Sequence, residues 1–119
     1  MKPSRGAVVL LAMAMAGCAG YKMDKAREGG PIATLESARP AQQLAQCVEV
    51  TWQSQALFGN EADAFTERSG NGGYTVSSHA SDYFVDINAD GQGSRVQFYG
   101  TPRHGDATKK RQATVATCL

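Results

Sequence analysis

Three patterns predict an α+β fold. Leu44, Cys47, Val48 and Trp52 share one face of a helix. Between residues 74 and 99 the apolar period changes to two, and Gly-rich turn clusters interrupt it. A helical spacing returns at Ala107, Arg111, Val115 and Cys118. Tight turns favour antiparallel neighbours, because a parallel crossover needs a dozen or more residues. A sheet with one apolar face buries two amphipathic helices only if both lie on that face. The expected architecture is therefore an antiparallel meander of three to four strands, with an N-terminal and a C-terminal helix packed on one side.

The first helix is expected over about 40–54. Pro40 suits a first helical position, and Arg39 before it is pushed out of the helical region. Ala41 and Thr51 complete the apolar stripe, and Trp52 reads as a core anchor. Leu57-Phe58-Gly59-Asn60 reads as a turn, and Ala64 to Arg68 as the optional fourth strand. Ser69-Gly70-Asn71-Gly72-Gly73 is a turn cluster ahead of the strand Tyr74 to Ser77. Tyr83, Val85 and Ile87 share one face of the next strand, and Val96 and Phe98 one face of the last; Ala89 to Gly93 turn between them. Asp106 is placed to cap the final helix, which should run to Cys118.

The chain begins differently. Lys2 and Arg5 precede an apolar run from Gly6 to Gly17, which is the charged region, apolar region and small-residue end of a secretory signal. Twelve or so residues fall short of the ~20 that a membrane-spanning helix needs. The run ends Met15-Ala16-Gly17-Cys18 and resembles the lipobox of bacterial lipoproteins, with Met at position 15 where that family prefers Leu. The resemblance covers residues 1–18. It implies cleavage of 1–17 and acylation of Cys18, and several acyl chains together give stable anchoring. Ala19 stands where an Asp would favour inner-membrane retention, which implies the outer membrane. The alternative is an ordinary signal peptide with a chance cysteine.

With Cys18 assigned to lipid, Cys47 and Cys118 remain. An even pair in a small exported domain reads as a disulfide, here linking the two helices. Closing a loop of 71 residues is worth roughly 4.4 kcal/mol in the chain-entropy model. Two free buried thiols are the alternative. Redox catalysis has no Cys-x-x-Cys to support it. The chain then divides into a removed signal (1–17), a lipidated anchor and flexible tether (18–38), and a small α+β domain (39–119). The tether is expected from its charges and Gly29-Gly30-Pro31, although Ile32 to Leu35 could add a short edge strand.

Charge narrows the function. The chain carries 12 Lys+Arg against 11 Asp+Glu, and losing Lys2 and Arg5 with the signal leaves it slightly acidic. Nucleic acid is thereby disfavoured as a partner. Asp86-x-Asn88-x-Asp90-Gly91 resembles the first half of an EF-hand calcium loop, with oxygen ligands at alternate positions. Gln97 stands where the bidentate Glu belongs, and Gly93 where an apolar residue belongs. Asp and Asn before Gly also suit a hairpin turn, so no metal or other cofactor is expected. His79, beside Ser77, Ser78 and Asp82, and His104, beside Asp106, lie in turn-like stretches without a Gly-x-Ser-x-Gly elbow. Lys109-Lys110-Arg111, with Arg103 and His104 near, form a basic cluster that reads as a solvated helix face, with anionic lipid as the alternative. Phe84 and Tyr99, with Arg95, form a candidate contact surface on the outer sheet face; partial cover of those rings by residues 19–38 is the alternative.

The expected function is non-enzymatic: an outer-membrane lipoprotein that presents a stapled domain to an envelope protein, or serves a structural role. Helix, Gly-Gly-Tyr strand, meander and terminal Cys are also similar to small uncharacterised lipoproteins of Gram-negative bacteria, which bring no activity with them. A periplasmic inhibitor or immunity-type protein is a second class. A small-ligand carrier or enzyme is a third, disfavoured because a large pocket would consume much of so small a core.

Overall fold

In the computed structural model the described residues are 20–54, 63–78 and 80–119. A first helix, α1, covers 20–28. Strand β1 (Ala33–Ser37) follows, then α2 (Ala41–Ser54), β2 (Ala64–Arg68), β3 (Tyr74–Ser78), β4 (Tyr83–Asp90), β5 (Gly93–Gly100) and α3 (Asp106–Ala116). The five strands form one sheet in the order β1-β5-β4-β3-β2, with every neighbouring pair antiparallel. The fold is α+β, as the periodicity predicts. The meander has all four strands, and β1 adds a fifth beside β5.

Alternation decides the two faces of the sheet. Tyr83, Val85 and Ile87 of β4 pair across strands with Gly100, Phe98 and Val96 of β5. All but Gly100 join one buried cluster with Leu44, Val48 and Trp52 of α2 and Val115 and Cys118 beside α3. Trp52 is fully buried and donates its indole N–H to Thr114 Oγ1 at 3.2 Å, so the largest core side chain leaves no polar atom unpaired. Burial of this apolar face drives folding at roughly 25 cal/mol per Å² removed from water.

The hairpin between β4 and β5 explains two glycines. Gly91 has φ +63°, which the first central position of a type II′ turn requires. Gly93 lies under the chain leaving β1: a Cβ there would collide with the Ser37 carbonyl oxygen and come within 3.1 Å of Ala38 Cα.

Two expectations change. Residues 20–37 are not a tether: 20–28 form a helix and Ala33–Ser37 the edge strand allowed for at Ile32 to Leu35, so the folded unit takes in these residues ahead of 39. α1 has almost no apolar stripe; it docks through the ion pairs Lys22–Asp82 and Arg27–Asp86, which apolar periodicity cannot register. The two expected helices do share one face. α2 and α3 cover the core side, while Arg27 of α1 reaches Thr75, Phe84 and Asp86 on the other. Finally, Asp106 is not the cap of α3. Gly105 holds the N-cap position without a side-chain hydrogen bond, and Asp106 is the first helical residue. Its charge there suits the helix dipole.

Candidate functional site

The two thiols meet as the compartment argument requires. Cys47 and Cys118 form a disulfide with Cα atoms 5.8 Å apart, joining α2 to the residues that follow α3. Thr51, one turn after Cys47, places its hydroxyl 3.9 Å from one sulfur and 3.8 Å from the other. Cys18, the proposed lipid attachment point, lies outside the described residues, as do His79 and the turn at 57–60.

The outer sheet face carries the most polar chemistry. Phe65, Ser77, Phe84 and Tyr99 stand in register across β2 to β5. Phe84 and Tyr99 stack at 4.6 Å with an interplanar angle of 9°. They are only 1% and 5% exposed. The expected contact surface of Phe84 and Tyr99 is thus covered, because α1 lies on it. The Arg27 guanidinium sits 5.0 Å above the Phe84 ring and donates to both carboxylate oxygens of Asp86 at 2.8 Å. Thr75 Oγ1 donates to Asp86 at 2.7 Å. The hydrogen bond that Arg27 donates to Asp86 raises the Arg27 pKa against the opposing effect of burial. Burial pushes the Tyr99 phenol up as well; the Asp86 charge adds to this and the Arg27 charge opposes it.

Asp86, Asn88 and Asp90 do not form an EF-hand-like loop. They lie at alternate positions of β4, which runs through Asp90 before the turn starts. Alternate residues of a strand are ~6.7 Å apart on one face, too spread to wrap a cation as a loop does. Asp86 is engaged by Arg27, and Asp90 by Arg95 at 3.3 Å. Among the described residues no group of three or more His, Cys, Asp or Glu is arranged to hold a metal ion. Arg95 remains exposed and also pairs with Glu36 of β1 at 2.9 Å, tying the edge strand to its neighbour. The hydrogen bond that Arg95 donates to Glu36 raises the Arg95 pKa.

The basic cluster divides. Lys109 and Lys110 are exposed, as are Arg103 and His104 in the loop before α3. Arg111 is not part of a solvated face: it is 3% exposed, between the rings of Trp52 at 5.5 Å and Tyr83 at 5.6 Å. Its Nε and Nη1 have no hydrogen-bond partner, and burial lowers its pKa. Its position on the helical stripe with Val115 and Cys118 was the signal for burial, and its charge masked that signal.

A groove of about 430 Å³ runs between α1 and the end of β5 with its following loop. Tyr21, Ala26, Tyr99 and Gly100 line it, together with Lys22, Lys25 and Arg103. It lies outside the core, so its volume takes nothing from the packing of α2 and α3. Lys22 is ion-paired with Asp82. Arg103 donates to the Gly30 carbonyl at 3.0 Å, a neutral acceptor that leaves its charge uncancelled.

No protein-family model matches the chain, and no curated protein or solved structure matches it either. Among the described residues, no helix is long and apolar enough to cross a membrane.

Proposed function

We propose that this chain is an outer-membrane lipoprotein, anchored through Cys18, whose folded domain faces the periplasm and makes a non-enzymatic contact with another envelope protein. The observation that carries the reading is Met15-Ala16-Gly17-Cys18 at the end of an apolar run, in a chain whose other two cysteines are already joined to each other. A disulfide is what an oxidising compartment favours. Ala19 after the anchor supports sorting to the outer membrane.

With Phe84 and Tyr99 covered, the contact falls on the end strand β2. Phe65 there is 61% exposed, on a strand with one paired neighbour in the sheet order. Gln53 and Glu49 of α2 already hold the Ala64 carbonyl and the Thr66 N–H of this strand, so the contact runs through the exposed Phe65 ring rather than through strand addition.

Two measurements test this reading. Intact mass of protein extracted from membranes should show acyl chains on Cys18, and a Cys18→Ser variant should lack them; an unacylated wild-type protein overturns the anchor. In-cell crosslinking should capture a specific envelope protein that Phe65→Asp loses. A partner that is an enzyme silenced on binding would assign the inhibitor class instead.

A further inference from the structure

We infer that the groove between α1 and the β5–α3 loop seats the phosphate-bearing headgroup of an anionic phospholipid in the leaflet that holds the anchor. The inference rests on the anchor reading, since Cys18 is what sets the domain beside a bilayer.

Position comes first. Tyr21 lies three residues beyond Cys18 and Lys25 seven. At no more than ~3.6 Å per residue, these side chains start within about 11 and 25 Å of the acyl chains. The groove is therefore the part of the described structure nearest in sequence to the bilayer.

Its chemistry matches that place. Tyrosines and flexible cations are the side chains found at headgroup depth, with an apolar body inward and a polar tip in water. Tyr21 is 63% exposed, and Lys25 Nζ lies 5.5 Å from its ring centroid. Lys22 is already committed to Asp82, so the charges offered to a ligand are those of Arg103 and Lys25. Among the described residues Lys25 pairs only with Glu28, across 3.4 Å of exposed surface. The other acidic residue of α1, Asp24, pairs with Arg27, and neither acid lines the groove. The two cations come from segments far apart in sequence and meet because Arg103 is held on the Gly30 carbonyl. About 430 Å³ is within the range of small-molecule sites and admits a headgroup. Anionic lipid attracts such cations over a Debye length, whereas a neutral bilayer does not.

The test uses the full protein purified from membranes and reconstituted in vesicles, either pure phosphatidylcholine or phosphatidylcholine with one-third phosphatidylglycerol. Hydrogen–deuterium exchange is read over 20–30 and 100–105. We expect exchange there to slow at least fivefold in the anionic vesicles only, and the difference to vanish in 0.5 M salt. Each cation should account for about a fivefold change. Lys25→Ala with Arg103→Ala should abolish the protection, while Arg103→Lys, which keeps the charge, should retain most of it. Equal exchange in both vesicles overturns the inference, as does a loss in Arg103→Lys as large as in Arg103→Ala. Protection reproduced by inorganic phosphate without vesicles, or only by a protein partner, also overturns it. Intact mass on the same sample reports the acyl chains separately. If they are missing, flotation of the unacylated chain with each vesicle type decides the groove on its own.

Discussion

Arg27 holds Asp86 through two hydrogen bonds of 2.8 Å, joining the first described helix to the centre of the sheet. The pair is half sunk: the Arg27 side chain is 34% exposed and that of Asp86 15%. The same guanidinium roofs Phe84, so one side chain both fixes α1 and closes the aromatic pair beneath it.

Removing that grip should uncover the outer face. Arg27→Ala is expected to cost about 2 kcal/mol, below the 3–5 kcal/mol of a fully buried pair because solvent screens it. Urea denaturation checks the cost. Hydrogen exchange should show 20–28 opening before the sheet, and a dye that reports exposed apolar surface should bind near Phe84 and Tyr99. Unchanged exchange over 20–28 would show that α1 is held by something else.

Reduction should be expensive. A Cys47→Ser, Cys118→Ser double variant is expected to lose about 3–4 kcal/mol, less than the chain-entropy limit because real denatured chains keep some structure. The thermal midpoint of the wild type should fall in reductant to near that of the double variant, and the double variant should not respond to reductant.

Alkaline stability should carry a signature of Tyr99. Its folded pKa lies above the ordinary value of 10.0. Between the two values the folded state holds a proton that the unfolded state has lost. This stabilisation is complete below pH ~10 and disappears as pH rises through the folded pKa. Tyr99→Phe should flatten part of the fall in unfolding free energy above pH ~10. Identical slopes for the two proteins would contradict this assignment.

Arg111 is a buried cation between two rings. Cation–π contact with Trp52 and Tyr83 contributes up to about 2 kcal/mol each when desolvated. Two unpartnered N–H groups cost about 1–3 kcal/mol each. These nearly cancel, so Arg111→Met, of similar length and fully apolar, should leave stability within about 1 kcal/mol or raise it. Trp52→Ala should cost about 3–5 kcal/mol. Thermal melts of the two variants separate these outcomes clearly.

The core side of this fold was legible in the sequence because its information is apolar and periodic. Leu44, Val48 and Trp52 declare α2, and Tyr83, Val85 and Ile87 declare the inner face of β4. The Cys47–Cys118 bridge followed once Cys18 had been set aside. The other side was not legible. Its contacts run through Arg27, Asp86 and Lys22, residues that also look at home in a solvated linker. Nothing in Ala-Arg-Glu-Gly-Gly indicates that one arginine meets an aspartate 59 positions away. Arg111 misled in the same way, since a charge at a stripe position reads as solvent. The groove escaped because its walls come from residues 21–29 and 99–103, which only the folded chain brings together.

The disulfide divides the chain mechanically. Residues 47–118 form a covalently closed ring that contains β2, β3, β4, β5 and α3. α1, β1 and the first turns of α2 form an arm outside it. A load applied from the Cys18 side would first reach the Lys22–Asp82 pair, then the Arg27–Asp86 grip, then the pairing of β1 with β5, then the start of α2. It would stop at Cys47. If the chain is tethered where its sequence suggests, the arm can pay out as a shock-absorbing leash while the meander stays locked behind the sulfur bridge.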